Sequence, residues 1–326
     1  MEITVVGGSG FIGSYLINEL SDHKVKNIDK NQSPFFKKQT KIIDIRDREN
    51  FILNSRTSFV VLLAAEHRDN ITPPSLYYDV NVTGTKNVLS SMDDAGIKNL
   101  VFTSSVAVYG LNKNNPDETH EIDPFNHYGK SKWQAELLIK QWYDDDPINK
   151  SVLIIRPTVV FGERNRGNVY NLLRQISSGK FLIVGNGSNK KSMAYVGNLV
   201  SFIKYKINSK FTGYNIYNYS DEPDYSMIEL VSLVKNKINI KILGLKIPYF
   251  IGVLAGYFFD FLSFILRKKF SISSVRVKKF CATTQFNSSK AHAEFKPPHT
   301  LIEGLNKTLD YEFLKNKKDD VLFFSE

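Results

Sequence analysis

Glu2-Ile3-Thr4-Val5-Val6 reads as a strand. It runs straight into Gly7-Gly8-Ser9-Gly10-Phe11-Ile12-Gly13, and a helical pattern through Leu16, Ile17 and Leu20 follows. Few folds begin this way. Gly7 permits a tight turn, Gly10 lets backbone approach a diphosphate, and Gly13 lets the helix pack close to the strand. The helix N-terminus then presents free N–H groups and a positive dipole end to phosphate, with the Phe11 and Ile12 amides in its first turn. A glycine-rich turn alone is a weak signal. Between a strand and a helix it is a strong one for dinucleotide binding.

The alternation continues. Residues 24–29 read as a second strand ending in Asp29, placed to accept hydrogen bonds from adenine-ribose hydroxyls, which favours NAD over NADP. Lys30 beside it is compatible with a 2′-phosphate. Residues 41–45 read as a third strand with Asp44 at its carboxyl end. The apolar run 59–65 suits a buried parallel strand. It is followed by the charged cluster Glu66-His67-Arg68-Asp69-Asn70, at a strand end where ligands bind in open α/β sheets. A long helix over 75–95 carries Asn81. Residues 99–103 form the next strand, running into Ser104 and Ser105, and 151–156 another, ending in Arg156-Pro157. Repeated strand–helix alternation predicts an α/β fold, a doubly wound parallel sheet with a smaller C-terminal domain. The expected division of the 326 residues is 1–160 for cofactor, with elements returning from 190–220, and 161–326 mainly for substrate.

Within this frame Tyr128-Gly129-Lys130-Ser131-Lys132 stands out. On a helix Tyr128 and Lys132 share one face, one turn apart. A cation beside a phenol favours the phenolate and so equips it as a general base. Ser105, at a strand end, is placed to hold a substrate oxygen.

The charge is +10, which suits an anionic partner: a phosphorylated substrate or an anionic membrane surface. No Lys/Arg block is interleaved with aromatics, so nucleic acid ranks last. Basic loops at 162–168 and 185–191 offer Arg164, Arg166 and Lys191, and Arg276 lies further on, as candidate diphosphate contacts, with Asn168 a candidate substrate contact. His67 is a candidate substrate contact. No metal-ligand spacing occurs. Cys281 is the single cysteine, so no intramolecular disulfide forms, and a reducing compartment such as the cytoplasm is expected. No signal peptide is expected from the N-terminal pattern. Residues 247–266 are almost wholly apolar, with basic flanks, and are interrupted by Pro248, Gly252, Gly256 and Asp260. An interfacial, membrane-facing element is the first reading, a buried helix the second, and a true span the third.

The ordered set Gly7–Gly13, Asp29, Asp44-Ile45, Leu63-Ala64-Ala65, Asn81, Ser104-Ser105, Tyr128-x-x-x-Lys132 and Arg156-Pro157 resembles the extended short-chain dehydrogenase/reductase family. The resemblance implies a Rossmann fold and a homodimer through a four-helix contact. It makes Tyr128 the catalytic base, with Lys132 on the nicotinamide ribose and Ser105 on the substrate hydroxyl. It implies an NAD site lined by Gly7, Gly10, Phe11, Ile12, Gly13, Asp29, Asp44, Ile45, Leu63, Ala64, Ala65, Asn81, Ser104, Tyr128, Lys132 and Pro157. Two departures are Lys191, where the family has arginine, and Ala107, where threonine is common. Segments 64–69, 75–82, 161–170 and 278–286 are more specifically similar to the branch that acts on sugars carried by undecaprenyl diphosphate during O-antigen assembly. That likeness implies C4 epimerisation between N-acetylglucosamine and N-acetylgalactosamine through a 4-keto sugar, by an enzyme held on the cytoplasmic face of the inner membrane. A soluble UDP-sugar 4-epimerase, a 4-keto-sugar reductase and an NAD-sensing scaffold are the alternatives.

Overall fold

A computed structural model describes residues 1–68, 71–179, 181–241, 246–266, 268, 273–315 and 320–324, without the side chains of 276 and 279. The large sheet contains β1 (Glu2–Val6), β2 (Lys24–Asp29), β3 (Thr40–Ile42), β4 (Phe59–Leu62), β5 (Asn99–Thr103), β6 (Ser151–Pro157) and the strand Gly213–Tyr219. All neighbours are parallel, in the order Gly213–Tyr219, β6, β5, β4, β1, β2, β3. The order reverses between β1 and β4, and a crevice opens beyond the carboxyl ends of strands at such a switch point. Period-two alternation divides the core between the two faces. Ile3, Val5, Val61, Leu153 and Ile155 pack on one side, and Val60, Leu62, Leu100, Phe102, Val152 and Ile154 on the other.

Four helices bear on the site: α1 (Phe11–Glu19), α2 (Ser75–Tyr78), α3 (Gly84–Asp94) and α4 (His127–Asp144). Three local features differ from the sequence expectation. The third strand spans Thr40–Ile42, so Asp44 lies two residues beyond its end. The fourth strand stops at Leu62, because Leu63 and Ala64 both turn their N–H groups onto the Val6 carbonyl and end the ladder. The single helix expected over 75–95 is interrupted between α2 and α3 by a wide π-turn, Asp79–Thr83, which carries Asn81.

A smaller sheet joins Asp221–Ser226, Lys190–Tyr195 and Val159–Phe161, and Lys246–Ile247 pairs with Ile183–Val184. The apolar stretch forms a helix, Tyr249–Leu266, whose buried residues are Gly252 and Gly256. A Cβ on Gly252 would stand 2.5 Å from Val184 Cγ1, and one on Gly256 2.6 Å from Ser274 Cα, so both backbones need glycine for this contact. Tyr249, Phe250, Ile251, Leu254, Tyr257, Phe258, Phe261, Phe264, Ile265 and Leu266 are exposed, which removes the buried-helix reading. The helix is long and apolar enough to cross a membrane by length and composition. Asp260 does not simply interrupt it. Its carboxylate accepts the Ser274 N–H at 3.1 Å, at the start of the next helix, Ser274–Cys281.

Candidate active site

The site begins with how α4 is seated. Asn126 caps the helix, its side-chain oxygen accepting the Gly129 N–H at 2.8 Å. A Cβ on Gly129 would stand 2.5 Å from the Ala107 carbonyl oxygen. Glycine there lets the first turn of α4 press against the 3-10 turn Val106–Tyr109, at whose N-cap Ser105 sits. Ser105 Oγ accepts the Ala107 N–H at 3.1 Å, and the Ser105 side chain hydrogen-bonds the Tyr128 phenol.

Burial governs both members of the Tyr128/Lys132 pair. It pushes the phenol up to about 12, and the Ser105 hydrogen bond works against that rise. It pushes the Lys132 ammonium down to about 7, opposed by the charge of Glu136 one turn further along α4. The expectation that Lys132 sets the tyrosine value is therefore corrected: desolvation of each group comes first. Lys132 is 2% exposed, with Nζ 4.4 Å from the centre of the Phe102 ring.

Glu136 belongs to a buried network that sequence reading missed. Arg156 Nε and Nη2 donate to its two oxygens at 3.0 and 2.6 Å, and Nη1 donates to the Tyr109 hydroxyl at 2.8 Å. Asn81 makes a second network. Its amide donates to the Glu66 carbonyl at 2.9 Å and to Ser131 Oγ at 2.8 Å, while its oxygen accepts the Glu66 N–H at 2.8 Å. The Ser131 hydroxyl donates in turn to the Tyr128 carbonyl. The loop after β4, the π-turn and α4 are thereby tied together. The charged cluster after β4 is largely self-satisfied, with Arg68 Nε and Nη2 donating to the Glu66 carboxylate at 3.0 and 2.9 Å. His67 is exposed beside it, near enough to Lys132 for their charges to interact. Asp69 and Asn70 lie outside the described residues.

The glycine turn fits a dinucleotide. Gly7 has φ +91°, and a Cβ there would meet Ala64 N at 2.4 Å; at Gly13 a Cβ would meet Gly8 Cα at 2.4 Å. Gly10 differs. Its Cβ would meet only the Gly7 carbonyl oxygen, at an ordinary 3.6 Å, so the chain's own packing does not require glycine there. Close approach of a diphosphate would. The Ser14 and Ser104 hydroxyls are buried without a partner among the described residues, two orphan groups that a bound cofactor would satisfy. Asp29 accepts the Ser9 N–H at 3.0 Å and the Asn31 N–H at 2.8 Å. Asp44 is paired with Arg46, whose guanidinium holds its carboxyl below the ordinary range, and Ile45 is buried against Gly84. Pro157 closes β6.

The candidate diphosphate contacts fall into two separate places. Arg164 and Arg166 pair with Asp320 and Glu312 near the C-terminus. Phe323 there packs on Phe11 and Phe35, with ring centres 6.0 and 6.3 Å apart. Lys191 lies elsewhere, its Nζ donating to the Ala282 carbonyl and its pKa pushed by burial down to about 8. Asn168 is exposed at the start of the helix Asn168–Ser177. The Arg276 side chain lies outside the described residues. No group of three metal-binding side chains occurs among the described residues.

A dinucleotide site at a sheet switch point with a proton acceptor nearby suits hydride chemistry at a hydroxyl-bearing carbon. Short-chain dehydrogenase/reductases are the class that combines this sheet with a Ser–Tyr–Lys set. Comparison narrows the class: the chain belongs to the NAD dependent epimerase/dehydratase family, whose profile matches residues 3–219, and its cofactor is NAD. It is 57% identical, over 99% of both chains, to the N-acetyl-alpha-D-glucosaminyl-diphospho-ditrans,octacis-undecaprenol 4-epimerase of Escherichia coli O157:H7. It is 29% identical to the UDP-glucose 4-epimerase of Vibrio cholerae, over 94% of each. The fold matches that of the Thermus thermophilus UDP-glucose 4-epimerase complexed with NAD, with a TM-score of 0.70 at 19% identity, over 95% of this chain and 98% of the other.

Proposed function

We propose that this chain is an NAD-dependent isomerase that interconverts N-acetylglucosamine and N-acetylgalactosamine by C4 epimerisation on undecaprenyl diphosphate. The observation that carries this reading is the end-to-end identity with the Escherichia coli enzyme of that name. The exposed apolar helix Tyr249–Leu266 supports a lipid-borne substrate and peripheral attachment to an anionic membrane surface.

Tyr128, as phenolate, takes the proton of the sugar 4-hydroxyl, and Ser105 holds the same oxygen. Lys132, one turn from Tyr128 on α4, positions the ribose. NAD, when bound, supplies the hydride acceptor and donor, with no net redox change. The 4-keto sugar turns over in the site and presents its other face; the hydride that the bound cofactor would return to C4 sets the opposite configuration, and Tyr128 gives the proton back to the C4 oxygen.

The test is to supply purified protein with undecaprenyl-diphospho-N-acetylglucosamine and, separately, with UDP-N-acetylglucosamine. The lipid-linked sugar is expected to be epimerised. Turnover of the UDP-sugar alone would sink the reading, and net consumption of reduced cofactor would indicate a reductase.

A further inference from the structure

A cavity of about 840 Å³ lies at the foot of the apolar helix and not along its length. Its lining is mixed. Asn112, Asn186 and Asn189 give it polar lining, and Val184, Pro248 and Tyr249 apolar lining. Lys278 also lines it, with Nζ donating to the Tyr257 hydroxyl at 2.8 Å, which leaves ammonium protons for another acceptor. Asn112 follows Ser105 by seven residues, so cavity and catalytic serine are at most about 25 Å apart. Tyr249 lines the cavity, and exposed apolar side chains recur from it along the helix at Phe250, Leu254, Phe258 and Phe261. A volume in the usual range for ligand sites, with both polar and apolar lining, suits an amphiphile.

We propose that this cavity receives the junction between diphosphate and isoprenoid, with Lys278 facing the diphosphate and Tyr249 and Pro248 receiving the first isoprene units. The helix then guides the lipid of the bound substrate as well as meeting the bilayer. This rests on the lipid-linked reading above and adds a place for the lipid.

A short-chain substrate separates guiding from anchoring. Farnesyl-diphospho-N-acetylglucosamine is assayed in solution without vesicles, so attachment to a membrane plays no part. Tyr249→Ser and Lys278→Ala are expected to raise KM about tenfold, with kcat and NAD content unchanged. Tyr249→Phe restores KM. Phe264→Ser, about 22 Å along the helix from Tyr249, leaves KM unchanged. Unchanged KM in both foot variants, or an equal rise in Phe264→Ser, overturns the assignment. If wild type turns over the farnesyl substrate while the foot variants match it, this subsite alone falls. If wild type turns over only UDP-N-acetylglucosamine, the functional reading falls and takes the subsite with it.

Discussion

Glu136→Gln tests how the site is held. Glu136 is 1% and Arg156 2% exposed, and the two share a bidentate contact at 3.0 and 2.6 Å. The substitution keeps the shape and removes the charge, leaving a guanidinium buried with the neutral Tyr109 hydroxyl. Breaking a buried pair on one side costs about 3–5 kcal/mol. With a urea slope of about 3 kcal/mol/M, the unfolding midpoint falls by about 1–1.7 M. Glu136→Leu combined with Arg156→Met removes both charges and is expected to cost less than the single change. A second readout is the pH profile. The Glu136 charge opposes the desolvation that brings Lys132 down to about 7. Without it the Lys132 pKa falls further, the ammonium is lost at a lower pH, and the alkaline limb of activity moves toward acid. A urea midpoint and a pH profile both matching wild type would refute the argument.

Tyr128→Phe is expected to keep its NAD and fold while kcat drops by about 10²–10⁴, and full activity would end the proton-transfer assignment. Gly129→Ala drives a Cβ to 2.5 Å from the Ala107 carbonyl oxygen, so thermal melts are expected to show about 1–3 kcal/mol of destabilisation and kcat to fall as Tyr128 is displaced from Ser105. Phe264→Ser, at a position 84% exposed, is expected to weaken partition into anionic vesicles by about ten- to a hundredfold, from roughly 1.5–3 kcal/mol of lost apolar burial. Its unfolding free energy stays within about 0.5 kcal/mol of wild type, and a larger loss would mean that the ring is covered by protein.

Local signals in the chain carried the sheet and the core of the site. The glycine turn, the run 59–65 and the spacing of Tyr128 and Lys132 are all decided within one or two turns of sequence. What stayed hidden depends on partners far apart. Arg156 reads as a strand end until folding brings it to Glu136, and Ser131 reads as filler between Tyr128 and Lys132 until it meets Asn81. Arg164 and Arg166 read as free clamps, yet their carboxylate partners lie about 150 residues further on. The pKa order within the Tyr128/Lys132 pair was also hidden, because desolvation is set by the whole fold. An apolar stretch looks the same in sequence whether protein or lipid covers it, so residues 247–266 could be assigned to exposed surface only from the structure.

The two-glycine seat of the helix Tyr249–Leu266 has a consequence for how the protein behaves once purified. A helix attached along one thin seam, with ten large apolar side chains facing outward, acts as a hydrophobic handle. In plain buffer the nearest apolar surface is the same handle on another molecule. The apparent mass in lipid-free solution then tracks detergent and protein concentration, and the number of chains per particle becomes measurable only after the handle has been covered.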